Sequence, residues 1–286
     1  TVAMPPRPIS SAISNCPTVL PIKSSLGVFG VVKYSTPTIG SSAFLSYNYR
    51  LLHTFRQVKG NKMAQLTGKT ALVTGASSGL GVDFAKCLAE KGSNLVLVAR
   101  RTDRLEAVKA DIVNQYRVEV TNISSDLSLP NSPQKLYDDL KALNKPIDIL
   151  INNAGLGLYG GFLEIDWAKE RQMLEIDILA LVHMTKLFVP DMVARGYGYV
   201  LQVASIGAFQ PSPLYASYSA AKSFVLNYSL AANYELRKTP VRICTISPGV
   251  TKTEFLEVSG QKPTRYQRAM MMDSPTVTRM GIEGML

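Results

Sequence analysis

Two side chains four residues apart, Tyr218 and Lys222, form a pair that is well suited to proton transfer. They lie where a proline-containing loop gives way to an apolar run at helical spacing, which includes Phe224, Val225 and Tyr228. Residues i and i+4 share one face of a helix, so we expect the phenol and the ammonium group to be neighbours. The ammonium group should favour the phenolate and lower the tyrosine pKa toward neutrality, where general acid–base catalysis works best.

A glycine-rich turn between a predicted strand and a predicted helix indicates a phosphate-binding loop. The β-prone run at residues 70–74 precedes the turn, and an apolar helical pattern with Phe84 and Leu88 follows it. Glycine lets the backbone approach a phosphate closely, and the start of the helix attracts its charge. The loop residues are Gly75, Ser77, Ser78, Gly79, Leu80 and Gly81.

Two arginines, Arg100 and Arg101, follow the next predicted strand, residues 95–99. They lie about twenty residues beyond the glycine-rich loop, where an arginine accommodates the 2′-phosphate of NADP and an acidic residue would hold the ribose of NAD. The two arginines therefore favour NADP(H) as the cofactor. The neighbouring Asp103 leaves open the alternative that they only form a solvated strand end.

Small or polar residues end the other predicted strands as well. Those strands are residues 118–123, 147–151, 200–203 and 241–246. Strands that alternate with helices predict an α/β fold, a doubly wound, Rossmann-like parallel sheet in a single domain. Ligands of such sheets lie across the carboxyl ends of the strands. We expect Asp126 and Leu127 to face the adenine, and Asn153, Ala154 and Gly155 to face the central part of the cofactor.

The first 62 residues differ in composition from the rest of the chain. They hold seven basic and no acidic residues, whereas the remainder holds 24 basic and 21 acidic ones. We interpret residues 1–62 as a disordered leader, which is either an organelle transit peptide or a stretch upstream of a true start at Met63. Residues 63–286 would form the Rossmann-fold domain. The expected location is the cytoplasm, or an organelle lumen, stroma or matrix if the transit peptide is genuine.

Composition argues against several classes of protein. The body lacks the basic run that nucleic-acid binding requires. No segment reaches the roughly 18 apolar residues of a membrane span. The three cysteines and two histidines are widely spaced, so neither a disulfide framework nor a metal site is predicted.

Taken in order, these motifs resemble the short-chain dehydrogenase/reductase family from about Leu66 to the end of the chain. The matching residues are Thr74, the glycine-rich loop, Asp126, Leu127, Asn152, Asn153, Ala154, Gly155, Ser205, Tyr218, Lys222, Pro248, Gly249 and Thr253. The resemblance implies an NADP(H)-dependent enzyme that reduces a ketone or oxidises a secondary alcohol.

The resemblance also implies a role for each site residue. Tyr218 would exchange a proton with the substrate oxygen, Ser205 would hydrogen-bond that oxygen, and Lys222 would bind the nicotinamide ribose and lower the tyrosine pKa. The nicotinamide amide would be seated by Pro248, Gly249 and Thr253. A small-molecule carbonyl or alcohol is then the partner, and a homo-oligomer stays open.

Two features depart from the family pattern. Asp177, inside a helical pattern at residues 167–193 that we expect to break near Pro190, stands where the family usually has an asparagine. It is either a site residue or an exposed helix residue. The chain also ends after a predicted helix at residues 277–286, so a seventh strand is apparently missing and one sheet edge should be unpaired. Both departures leave a non-catalytic NADP-binding regulator or scaffold as the alternative function.

Apolar and flexible residues flank the predicted site in sequence and suit a lipophilic substrate, such as a 3-oxoacyl or sterol-like compound. Core packing or a lid is the alternative role for the methionines. The flanking residues are Leu214, Tyr215, Phe255, Leu256, Tyr266 and residues 270–272.

Overall fold

The computed structural model describes residues 30–32 and 66–286, which form a seven-stranded sheet in the order β1-β7-β6-β5-β2-β3-β4. All neighbouring strands are parallel except β1 and β7. The strands are β1 Gly30–Val32, β2 Thr70–Thr74, β3 Asn94–Ala99, β4 Val120–Ser124, β5 Ile149–Asn152, β6 Gly198–Val203 and β7 Val241–Ser247. The predicted doubly wound α/β fold is confirmed.

Helices connect these strands and pack on both faces of the sheet. They are α1 Gly79–Glu90, α2 Thr102–Tyr116, α3 Ser132–Ala142, α4 Trp167–Leu174, α5 Leu181–Arg195, α6 Ala216–Glu235, α7 Phe255–Ser259, α8 Arg265–Met270 and α9 Ser274–Met285. A π-helical segment, Glu175–Ala180, joins α4 to α5. Within residues 30–32 and 66–286, no helix is both long and apolar enough to span a membrane.

Successive residues of the central strands point into two separate cores. Ala71 and Val73 of β2 pack with α1, α2 and α9, whereas Leu72 packs with α3 and α5. Side chains alternate across a strand, so a sheet covered on both faces requires continuous apolar runs. This requirement explains why the strands were visible in the sequence as short runs of valine, leucine and isoleucine.

The predicted break near Pro190 is wrong, because α5 continues through the proline to Arg195. A proline inside a helix removes one backbone hydrogen bond. Phe188, Val189 and Met192 on either side of it are buried in the core between α5 and the sheet. This tertiary packing outweighs the local cost, as it does for most helices in folded proteins.

The outer edge of β7 is paired in the structure, although we expected it to be free. The short strand β1 runs antiparallel to β7, with Gly30 opposite Ser247 and Val32 opposite Thr245. In the described part of the chain, no strand of this sheet follows β7 in sequence. The rest of the predicted leader lies outside the described residues.

The order of the strands fixes where a ligand can bind. From β2 the chain adds β3 and β4 on one side, whereas β5, β6 and β7 extend the sheet on the other side. The direction of winding therefore reverses between β2 and β5. In open parallel sheets such a reversal opens a crevice at the carboxyl ends of the two strands.

Helix α9 lies so close to the sheet that a side chain at Gly281 would crowd its neighbours. A Cβ atom there would lie 3.0 Å from Ile246 Cδ1 and 3.2 Å from Phe84 Cε1. We expect Gly281→Leu to lower the free energy of unfolding by about 1–3 kcal/mol, because overpacking outweighs the gain in helix propensity. Chemical denaturation measures the change.

Glu283→Leu is the matched control, because it adds the same side chain to an exposed position of the same helix. It should change the free energy of unfolding by less than about 0.5 kcal/mol. Equal losses in the two variants would show that the packing of α9 on the sheet is looser than described.

Candidate active site

A crevice of about 480 Å³ runs along the carboxyl ends of the strands. The predicted site residues that line it are Gly75, Ser77, Ser78, Gly79, Leu80, Arg100, Arg101, Asp126, Leu127, Asn153, Ala154, Gly155, Ser205, Tyr218, Lys222, Pro248, Gly249 and Thr253. Gly81 and Asp177 do not line it, but they lie against Gly75 and Lys222, which do. Residues that lie far apart in the sequence thus line one crevice.

The side chain of Thr74 ties the tip of β2 to the tip of β5. Its hydroxyl donates to the Ile151 carbonyl oxygen at 3.2 Å and accepts from the backbone N–H groups of Asn153 and Ala154 at 3.0 and 2.9 Å. The Asn153 amide donates to the Thr74 carbonyl oxygen at 2.9 Å. Asn153, which we expected to face the cofactor, therefore also holds the two walls of the crevice together.

Two positions in the glycine-rich loop accept only glycine. Gly75 has φ of +68°, which side chains disfavour, and a Cβ atom on Gly81 would lie 2.1 Å from the Gly75 carbonyl oxygen. Helix α1 begins directly in this loop at Gly79, without a side-chain cap from Ser78. A bare loop that leads into a helix start fits the pyrophosphate of a dinucleotide.

Arg100 lies at the tip of β3 beside Asp126, with 3.8 Å between Arg100 Nη1 and Asp126 Oδ2. The other carboxylate oxygen of Asp126 accepts hydrogen bonds from the backbone N–H and the hydroxyl of Ser128 at 3.0 and 2.7 Å. Asp126 is therefore fixed at the tip of β4, and the Arg100 guanidinium group, which is about half exposed, stays accessible from the crevice.

Arg101 bridges the crevice. It donates to the Ser77 hydroxyl at 3.2 Å and to the Glu254 carboxylate at 3.2 Å, and Arg104 donates to the same carboxylate at 2.6 Å. Sequence reasoning missed Arg104 and Glu254. Arg104 lies in the first turn of α2, three residues after Arg101, and could have been found from this spacing, but Glu254 lies 150 residues beyond Arg104 and gave no signal.

Helix α6 places Tyr218 and Lys222 on successive turns, with Lys222 Nζ 5.6 Å from the centre of the Tyr218 ring. The lysine is buried, and its ammonium group donates to the Val203 carbonyl oxygen at 3.1 Å. Ser205 follows the tip of β6, and its hydroxyl is close enough to the Tyr218 phenol to act on the pKa of that phenol, which it lowers against the larger effect of burial. The structure thus brings Ser205, Tyr218 and Lys222 together in the crevice, as the sequence predicts.

Asp177 is buried in the π-helical segment, with 1% of its surface exposed. One carboxylate oxygen accepts the Leu156 N–H at 2.7 Å, and the other lies 3.0 Å from Lys222 Nζ. A Cβ atom at Gly155 would come within 3.0 Å of the first oxygen. The interpretation of Asp177 as an exposed helix residue is wrong, since this side chain joins the loop after β5 to the lysine.

The structure overturns the predicted direction of the Tyr218 pKa. Burial raises the pKa of the phenol above its usual value, and although the Lys222 ammonium group opposes this, the Asp177 carboxylate adds to it. Burial also disfavours the charged lysine, but Asp177 and Tyr218 together outweigh that cost and hold the pKa of Lys222 above its usual value. The lysine charge does not bring the tyrosine pKa toward neutrality here, because burial of the phenol and the Asp177 carboxylate together oppose it.

An aromatic wall stands beside Tyr218. The ring centres of Tyr218 lie 5.6 Å from Tyr215 and 5.4 Å from Phe255, and Tyr215 lies 5.2 Å from Tyr159. The Tyr215 hydroxyl donates to the Gln261 side chain at 2.7 Å. Residues from two loops and from the start of α7 thus place aromatic rings around the phenol.

Part of the predicted substrate set lies elsewhere. Tyr215, Phe255 and Leu256 line the crevice, whereas Leu214 and residues 270–272 do not. Met272 instead packs against the core next to α9. The side chain of Tyr266 lies outside the described residues. Sequence proximity was a poor guide here, because the crevice is also lined by residues from distant loops such as Leu156 and Gln261.

A model of the family described as short chain dehydrogenase matches residues 69–264. The chain belongs to this family. It is 31% identical over 241 residues to the very-long-chain 3-oxoacyl-CoA reductase of Phaeosphaeria nodorum, a match that covers 82% of this chain and 68% of the relative.

Two solved structures share the fold. The short-chain dehydrogenase of Sphingobium yanoikuyae, solved with NADPH, is 30% identical with a TM-score of 0.70, over 76% of this chain and 84% of the other. The bulky-bulky ketone specific alcohol dehydrogenase of Comamonas testosteroni is 27% identical with a TM-score of 0.67, over 76% of this chain and 82% of the other.

Among the residues that the structure describes, no group of three or more His, Cys, Asp or Glu side chains could hold a metal ion.

The carboxylate of Asp177 should control the titration of Tyr218. We expect Asp177→Asn to lower the pKa of Tyr218, because it removes the negative charge that raises it and leaves the Lys222 ammonium group uncompensated. The ring-carbon NMR signal of labelled tyrosine, assigned with Tyr218→Phe, reports the midpoint. Asp138→Asn, on the distant helix α3, should leave it unchanged. An unchanged midpoint in Asp177→Asn would rule out electrostatic control by this carboxylate.

Proposed function

We propose that this chain is an NADP(H)-dependent oxidoreductase that interconverts a ketone and a secondary alcohol on a lipophilic substrate. The observation that carries the proposal is the shared crevice: Ser205, Tyr218 and Lys222 line it together with the glycine-rich loop and the arginine pair Arg100 and Arg101. A proton donor and a dinucleotide site are thus adjacent, as hydride chemistry at a carbonyl carbon requires.

The residues present fit NADP(H). The glycine-rich loop and the start of α1 would hold the pyrophosphate, the two arginines would bind the 2′-phosphate, and Lys222 would contact the nicotinamide ribose. The turn at Pro248, Gly249 and Thr253 would seat the nicotinamide amide. The bound cofactor supplies the hydride. The NADPH complex of the Sphingobium yanoikuyae relative supports this choice of cofactor.

Tyr218 is the acid of the proposed reduction and the base of the reverse reaction. Its phenol gives a proton to the substrate oxygen as negative charge develops there, while the Ser205 hydroxyl donates a hydrogen bond to the same oxygen. Lys222 stabilises the phenolate that results. Asp177 holds Lys222 in position and moderates its charge. A raised tyrosine pKa keeps the proton on the phenol at neutral pH.

The aromatic wall favours an apolar substrate, and we propose a 3-oxoacyl thioester before a sterol-like ketone. The loop that bears Tyr159 also carries Phe162 and Leu163, which are 85% and 93% exposed. Such a surface suits an extended acyl chain that continues out of the crevice. The similarity to a very-long-chain 3-oxoacyl-CoA reductase supports this substrate class.

Removal of the phenolic hydroxyl tests the proposed proton donor. We expect Tyr218→Phe to lower kcat/KM for ketone reduction about 10²- to 10⁴-fold, the usual worth of a positioned acid, while NADPH still binds. Oxidation of NADPH with 3-oxoacyl-CoA substrates of increasing chain length, beside sterol-like ketones, gives the rate. Tyr234→Phe, an exposed tyrosine of the same helix, should keep full activity.

Two outcomes would contradict this proposal. Equal activity of wild type and Tyr218→Phe would assign the proton to another group. A wild-type protein that binds NADPH but reduces no ketone of the panel would favour the non-catalytic regulator or scaffold, in which the Asp177 ion pair silences Lys222.

The arginine pair should determine cofactor choice. We expect Arg100→Ala and Arg101→Ala each to weaken NADPH binding about tenfold or more, because each removes charged hydrogen-bond donors to the 2′-phosphate, with little change for NADH. Titration calorimetry with both cofactors measures the ratio. Lys109→Ala removes one positive charge farther along α2 and should leave the ratio unchanged. A similar loss for NADPH and NADH would move the arginines from phosphate recognition to a structural role.

A further inference from the structure

Glu254 presents an anion to Arg101, one of the two arginines that would bind the cofactor phosphate, and to the nearby Arg104. Its two carboxylate oxygens lie 3.2 Å from Arg101 Nη1 and 2.6 Å from Arg104 Nη1. All three side chains are about 40% exposed, so a solute can reach them. Because Glu254 and Arg101 both line the crevice, the carboxylate competes directly with a phosphate that enters there.

The residues after Glu254 reach the catalytic phenol within one helical turn. Phe255 packs on the ring of Tyr218 and against Gly157, where a Cβ atom would lie 2.4 Å from Phe255 Cζ. At the other end of α7, the Ser259 carbonyl oxygen accepts the Tyr159 N–H at 3.1 Å. Helix α7 is therefore attached to the arginines at its start and to the aromatic wall along its length.

The segment that contains α7 and α8 is anchored at its base. The Lys252 N–H donates to the Met272 carbonyl oxygen at 2.9 Å, and the Met272 N–H donates to the Val250 carbonyl oxygen at 3.0 Å. Between these anchors, the Glu254 ion pairs cross the crevice to α2. The Gly79 loop approaches from the same side, since a Cβ atom there would lie 3.0 Å from Thr253 Cβ.

From this geometry we propose that Glu254 is a specificity-determining residue: its carboxylate occupies the guanidinium groups of Arg101 and Arg104 until the 2′-phosphate of NADP(H) displaces it and releases the start of α7. The inference rests on the proposed cofactor. A phosphate carries more charge than a carboxylate and accepts more hydrogen bonds, so it can replace Glu254 at both arginines. A cofactor without this phosphate leaves the ion pairs in place.

The displacement of Glu254 by the phosphate links the choice of cofactor to the aromatic wall. Two ligands that bias one structural element affect each other reciprocally. Release of Glu254 loosens the start of α7, which carries Phe255 against Tyr218. NADP(H) and NAD(H) would then prepare different substrate sites, although both could deliver a hydride.

Glu254→Gln tests the competition by direct binding. Partly exposed ion pairs contribute little each, so we expect the variant to bind NADPH about three- to tenfold more tightly than wild type, with NADH affinity unchanged within about twofold. The matched control is Glu257→Gln, which removes the same charge from an exposed position on α7. A general charge effect would raise NADPH affinity equally in both variants, and that result would overturn the proposal.

Hydrogen exchange tests the release of α7 without turnover. The probes are 2′,5′-ADP, which carries the 2′-phosphate but no nicotinamide, and 5′-AMP. We expect 2′,5′-ADP to speed exchange severalfold at the Val258 and Gly260 amides, which bond to the Glu254 and Glu257 carbonyl oxygens. 5′-AMP should have no effect. In Glu254→Gln these amides should exchange fast before any ligand is added.

The outcomes separate this inference from the proposed function. Weaker NADPH binding in Glu254→Gln, or slower exchange with 2′,5′-ADP, would show that the carboxylate supports the phosphate site and would overturn the displacement. Failure of wild type to bind either cofactor would instead refute the proposed function. If no assay showed ketone reduction, the binding and hydrogen-exchange measurements would still test the displacement of Glu254, because neither depends on turnover.

Discussion

The crevice depends on one buried hydroxyl group, that of Thr74. It donates a hydrogen bond to the Ile151 carbonyl oxygen and accepts one from each of the backbone N–H groups of Asn153 and Ala154. Its proton and both of its lone pairs are therefore occupied. Since Thr74 is 1% exposed, water cannot take over these bonds. The glycine-rich loop follows Thr74 directly, and the Asn153 turn forms the facing wall. These hydrogen bonds of Thr74 therefore set the distance between the two walls of the crevice. They lie where the direction of winding of the sheet reverses.

Charges in the site form two kinds of pair with opposite consequences. The Lys222 and Asp177 pair is almost completely buried, so removal of either partner would leave the other as an uncompensated buried charge at a large cost in free energy. The Arg101 and Glu254 pair is accessible to solvent and can exchange one anion for another at low cost. The inner pair thus maintains a fixed electrostatic setting for Tyr218, whereas the outer pair can respond to a ligand.

Local sequence patterns predicted the parts of the fold that local rules control. The strand and helix periods located β2 and α6, and the glycine spacing located the loop at Gly75. The conformation at Pro190 was predicted wrongly because packing against the sheet overrides a local preference. The pKa of Tyr218 and the contact of Arg104 with Glu254 depend on partners far apart in sequence. Such contacts leave no periodic trace, so only the folded arrangement reveals them.

The π-helical segment Glu175–Ala180 has a consequence for how this site can change. Each backbone hydrogen bond in such a segment spans one more residue than in an α-helix, and the segment carries Asp177. Deletion of one residue between Asp177 and α5 would restore the α-helical ladder and rotate Asp177 by about 100° relative to α5. Lys222 would then lose its buried counter-ion while Ser205, Tyr218 and Lys222 kept their identity. The deletion of a single codon can therefore change proton transfer at this site without any substitution among the residues that contact substrate.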